Sequence, residues 1–94
     1  MPETWELTTL DNGLRIVTTP MPSTQAVSVN IFVGVGSRSE PARLNGITHF
    51  LEHMVFKGTR RRSAFELATG FDAIGASVDA FTTKDLVAFT VKVL

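Results

Sequence analysis

The chain has 94 residues, 44% of them hydrophobic and 19% charged, with nine Lys+Arg balancing nine Asp+Glu. That is the composition of one small globular domain or a part of one, and it excludes a disordered charged tail. Zero net charge argues against a strongly basic nucleic-acid binder, and the lack of cysteine removes disulfides, thiolate metal sites and thiol nucleophiles.

Residues 16–37 carry no charge, but Pro20, Pro22, Ser23, Thr24, Gln25 and Asn30 interrupt them, so no membrane span is expected. Residues 1–6 have neither a basic start nor an apolar stretch, so no secretory leader is expected and a cytoplasmic location is the default.

Residues 4–19 read as a β-hairpin. Trp5, Leu7 and Thr9 alternate with polar neighbours, Asp11-Asn12-Gly13 is a turn, and Leu14, Ile16 and Thr18 resume the period of two. Residues 27–35 form a stronger strand, with Val27, Val29, Ile31, Val33 and Val35 on an expected core face. Because Phe32 and Gly34 leave the other face only partly polar, a central position in a sheet is expected.

Residues 47–57 have helical spacing. Ile47, Phe50, Leu51 and Met54 share one side; His49, Glu52 and His53 share the opposite side; Gly58 is the expected C-cap. Ser63-Ala64-Phe65-Glu66 fits a capping box for a second helix with Ala64, Leu67, Ala68, Phe71 and Ile74 as its apolar stripe, stopped by Gly75. Residues 77–83 form a strand, with Val78, Ala80 and Thr82 on one face. A turn at Thr83-Lys84-Asp85 then leads into a last strand in which Val87, Phe89, Val91 and Val93 alternate with other residues. The expected class is α+β, with helices packed on a mainly antiparallel sheet. The seven Phe are expected mostly in core stripes, with Phe56 the exception because the helical wheel sets it beside His49 and His53.

The segment that carries chemistry is His49-Phe50-Leu51-Glu52-His53. The chain has two histidines. Placed at random they would fall four apart in about 2% of arrangements, and with a Glu at this intervening position in roughly 0.1%. On a helix, positions i and i+4 stack, so both imidazoles can hold one metal ion. Nitrogen donors suit zinc, and a catalytic zinc takes three protein ligands and leaves one position open. Glu52 lies on the same face and can accept a proton from a water that the metal acidifies. The competing reading is an ordinary polar helix face. A closed structural zinc site would need further ligands that a chain without Cys supplies poorly.

His-x-x-Glu-His is the inverse of the His-Glu-x-x-His order of the zincins. Together with Gly36-Ser37-Arg38-Ser39-Glu40, Leu44-Asn45-Gly46-Ile47-Thr48 ahead of the motif, Met54-Val55-Phe56-Lys57-Gly58-Thr59 behind it, and Ala80-Phe81-Thr82, it resembles the pitrilysin/insulinase family of zinc peptidases, which includes the mitochondrial processing peptidases. The resemblance spans essentially the whole chain. It implies Zn2+ held by His49 and His53, Glu52 as general base, and a third ligand, a Glu on a later helix beyond Leu94. It also implies a peptide substrate, and pairing as a homodimer or with a second domain of the same family. Residues 1–94 are then expected to be the N-terminal portion of one processing-peptidase-like domain, inactive alone. Asp79 stands where the family often has Asn, and Gly75-Ala76 where it often has Gly-Gly.

Two other functions are compatible with parts of the sequence. One is a non-catalytic core subunit of a processing-peptidase assembly, which the intact His49/Glu52/His53 set disfavours. The other is a nucleic-acid module built on Arg60, Arg61 and Arg62, which zero net charge disfavours; with Lys57 these also suit a solvated helix end. Arg38 and Glu40 are compatible with a loop ion pair or with packing near the site.

Overall fold

A computed structural model describes residues 4–94. Residues 1–3, part of the stretch read for a leader, lie outside the described residues.

The chain opens with the expected hairpin: β1 (Glu6–Thr9) pairs antiparallel with β2 (Arg15–Thr18), Glu6 facing Thr18 and Thr9 facing Arg15. Gly13 takes φ of 90°, which glycine reaches without Cβ strain. Asn12 Oδ1 accepts the Leu14 N–H at 3.0 Å, so the turn is fixed by local chemistry.

The main sheet has three antiparallel strands in the order β3-β5-β4: β3 (Val27–Val33), β4 (Ser77–Thr82) and β5 (Val87–Val93). Val27 faces Val93 and Val33 faces Val87 on one side of β5; Ser77 faces Lys92 and Thr82 faces Val87 on the other. The expectation of a central β3 is therefore corrected: among the described residues β3 is an edge and β5 is central. The Thr83 hydroxyl accepts the N–H groups of Asp85 and Leu86 at 3.2 and 3.1 Å, turning β5 back onto β4 and leaving its other side to β3. Among the described residues the buried hydrophobic side chains, Val87 and Ala88, both lie on β5.

The first helix, α1 (Ile47–Met54), ends before the expected boundary. Val55 is its C-cap, and N–H groups of Phe56 and Lys57 bond three residues back, to His53 and Met54, as a tightened last turn. Gly58 is not the cap; at φ of 122° it forms a bridge to Ser63. The second helix, α2 (Ala64–Ala73), carries the expected capping box. Ser63 Oγ accepts the Glu66 N–H at 3.1 Å, and Glu66 Oε1 accepts the Ser63 N–H at 3.2 Å. Its end is a Schellman arrangement: Ala76 N–H reaches Phe71 O and Gly75 N–H reaches Asp72 O, with Gly75 left-handed.

The sequence leaves open which side of α1 meets the sheet. The helix packs against β4 with its His/Glu side, while Phe50, Leu51 and Met54 are 57%, 55% and 44% exposed. Phe32, Phe65 and Phe81 are exposed as well, against the expectation of core positions. The radius of gyration is 16.0 Å, where a closed domain of this length would have about 12 Å. The α+β class holds, but the apolar faces of α1 and β3 have no layer over them among the described residues. No described helix is long and apolar enough to cross a membrane.

Candidate active site

The site is built where α1 crosses β4. The N-cap of α1 is Gly46, at φ of 91°, which has no side chain with which to cap the helix. The cap comes from six and eight residues upstream: Glu40 Oε1 accepts the Gly46 N–H and Glu40 Oε2 the Thr48 N–H, each at 2.8 Å. The Thr48 side chain, then the Gly46 and Thr48 N–H groups, hold the Glu40 carboxyl below its usual range. A charged carboxylate at this end also complements the helix dipole. Of the two loop readings, Glu40 thus takes the one that packs against the site.

The loop bearing Glu40 is itself fastened to the β4–β5 turn. Ser37 N–H reaches Thr83 O at 3.2 Å and Arg38 N–H reaches Lys84 O at 2.9 Å. Gly36 is buried there, and a Cβ on it would come within 2.4 Å of Thr83 O. Arg38 does form an ion pair, with Asp85 at 3.4 Å, but both side chains are mostly exposed and such pairs contribute little.

With α1 so held, His49 and His53 fall on one side. Their Nε2 atoms are 3.0 Å apart and their rings meet edge to face with centroids 4.6 Å apart. Two nitrogens each about 2.0–2.1 Å from a tetrahedral zinc would be about 3.3 Å apart. The pair therefore matches the bite of that ion closely, and imidazole is a donor zinc favours. One carboxylate oxygen of Glu52 completes a set of donor atoms all within 4.8 Å of one another. Both histidines are exposed and Glu52 is half-buried. Glu52 Oε2 is already engaged, accepting the Thr82 hydroxyl at 2.5 Å.

Beside this cluster, Glu52, His53, Phe56 and Lys57 of α1 and its last turn face Val78, Asp79 and Ala80 of β4 across an open groove. Phe56 thus lines the groove, as its wheel position implies. Asp79, Asp85 and Glu40 do not join the donor cluster among the described residues. Thr82, read from the sequence as part of a strand face and of the Ala80-Phe81-Thr82 match, is given no role in the site there. Its signal was a hydroxyl on a strand face otherwise formed by Val78 and Ala80.

The chain is similar to known proteins. The family model described as insulinase (peptidase family M16) matches residues 15–94. An uncharacterized zinc protease of Streptomyces coelicolor is 48% identical over 87 residues, covering 93% of this chain and 19% of that protein. One of Bacillus subtilis is 49% identical over 86 residues, covering 92% and 21%. A crystal structure of a protease from Helicobacter pylori superposes with a TM-score of 0.89 at 33% identity, covering 97% of this chain and 22% of that one. The chain spans about a fifth of the length of these relatives.

Proposed function

The chain belongs to the insulinase family of peptidases, peptidase family M16, and from that premise we propose that it carries the metal-binding helix and general base of a zinc-dependent endopeptidase. Its substrates would be peptides or unfolded segments. His49 and His53 hold the metal, with a carboxylate from outside the described residues as third ligand. Zinc, when bound, polarises the scissile carbonyl and acidifies the attacking water.

The remaining work belongs to the protein. Glu52 takes the proton of the attacking water on its free carboxylate oxygen and returns it to the departing amine. The exposed side of the cluster leaves room for an extended peptide. β4 pairs only with β5 among the described residues, so its other edge can pair with a peptide backbone whatever the side chains. Phe56 and Lys57 form the opposite wall. A homodimer, or a second domain of the same family, would close the groove from above.

The observation that carries this reading is the 3.0 Å separation of the His49 and His53 Nε2 atoms with Glu52 alongside. The test uses the full-length protein. Glu52→Gln should retain zinc and lose about 10²–10⁴-fold in kcat, whereas His49→Ala should lose the zinc itself. Loss of zinc from the first variant and its retention by the second would reverse the assigned roles.

A further inference from the structure

β4 turns Val78, Ala80 and Thr82 toward α1, and all three are half-buried. Thr82 supplies the hydroxyl on that face. The sheet's pairing engages its backbone opposite Val87, so the side chain is free for another partner. That partner is Glu52, thirty residues earlier, whose Oε2 accepts the hydroxyl at 2.5 Å. No other hydrogen bond to the Glu52 carboxylate is made among the described residues.

The need for such a contact follows from the side chain. α1 fixes the Glu52 backbone, but three side-chain torsions separate the backbone from the carboxylate, and the last of them is broad. A hydroxyl on a strand is a stiff donor, because Thr is branched at Cβ and restricted at χ1. A hydrogen bond to a charged acceptor is also about twice as strong as a neutral one.

We propose that Thr82 is the positioning residue for Glu52. It holds Oε2 and so presents Oε1 as the oxygen that accepts the proton. This rests on the assignment of Glu52 as general base. It also gives β4 two duties two residues apart: Ala80 lies on the edge offered to peptide, and Thr82 sets the base. A peptide docked on that strand is therefore registered against the base by one rigid element.

The test compares Thr82→Val, which keeps the branched shape without the hydroxyl, with Thr82→Ser, which keeps the hydroxyl, in the full-length protein. Thr82→Val should leave zinc content and KM unchanged and lower kcat about 10- to 100-fold, the scale of a misplaced catalytic group. Thr82→Ser should recover most of the loss. A second measurement needs no metal and no turnover: thermal unfolding of the metal-free protein as Thr82→Val, Glu52→Ala and the double variant. If the two side chains hold one another, the double variant melts near the worse single. Wild-type kcat in Thr82→Val, equal loss in the valine and serine variants, or additive melting decrements would each overturn the proposal. If the wild-type protein shows no metal-dependent cleavage, the proposed function fails, and the melting cycle still decides whether Thr82 holds Glu52.

Discussion

Glu40 reaches eight residues along the chain to accept the Thr48 N–H at 2.8 Å, directly before the first of the two histidines. The α1 N-terminus is thus capped from a neighbouring loop rather than by its own first residue. Because Gly36–Arg38 is bonded to the β4–β5 turn, the cap ties α1 to the strand whose Thr82 meets Glu52.

Glu40→Gln should lower the melting temperature at neutral pH and weaken zinc binding, because a neutral amide is a poorer acceptor for two N–H groups at a helix start. The sign with pH follows from the direction of the shift. The folded-state carboxyl lies below its ordinary value of 4.5, so its stabilisation is complete above that value and is lost as pH falls through the folded pKa. The wild-type minus Glu40→Gln difference in melting temperature should therefore shrink on acidification below about pH 4.5. A difference constant from pH 7 to pH 3 would show that the charge does not matter.

Gly36 and Gly34 are a matched pair for testing the loop clamp. Neither has a positive φ, so the contrast is steric. A Cβ at Gly36 would meet the Thr83 and Lys84 backbone at 2.4–2.6 Å, whereas at Gly34 it would meet nothing within 4 Å. Gly36→Ala should destabilise by about 1–3 kcal/mol, and Gly34→Ala should stay within about 0.5 kcal/mol. Denaturant unfolding of the two variants measures this; equal midpoints would mean that the loop yields freely.

The features legible in the sequence are those set by neighbours in the chain. Asn12-Gly13 specifies its turn, and Ser63 with Glu66 specifies the start of α2. The motif was legible for the same reason, since four residues of helix bring His49 to His53. What the sequence left open depends on distant partners. A helical wheel separates the Phe50/Leu51/Met54 side of α1 from the His49/Glu52/His53 side without saying which one meets β4. The alternation of Val27, Val29 and Ile31 marks a strand with an apolar face but does not name its neighbours; among the described residues β3 pairs only with β5. The Glu40 and Thr82 contacts cross 8 and 30 residues, and no local pattern encodes either.

Ser63→Ala should cost about 1 kcal/mol by removing the acceptor for Glu66 N–H, the usual scale for an N-cap. α2 contributes no residue to the donor cluster or the groove. Zinc content and KM should therefore be unchanged while the melting temperature drops. A change in KM at constant stability would mean that α2 is coupled to the site.

The backbone of β4 provides the last prediction. Ala80 pairs with Phe89 of β5, and its N–H donates to the Asp79 carboxylate at 2.8 Å. If an extended peptide adds to this strand, the Asp79 carboxylate competes with a peptide carbonyl for that donor. Ala80→Pro removes the N–H altogether, and proline is tolerated at a sheet edge. It should lower kcat/KM by about tenfold or more, the worth of one well-made hydrogen bond to a backbone donor, with zinc retained. Asp79→Ala frees the same N–H and should leave KM unchanged or lower. Both variants can be measured on one unfolded peptide substrate with zinc content determined in parallel. Wild-type cleavage by Ala80→Pro, or a higher KM in Asp79→Ala, would show that the peptide does not use this donor.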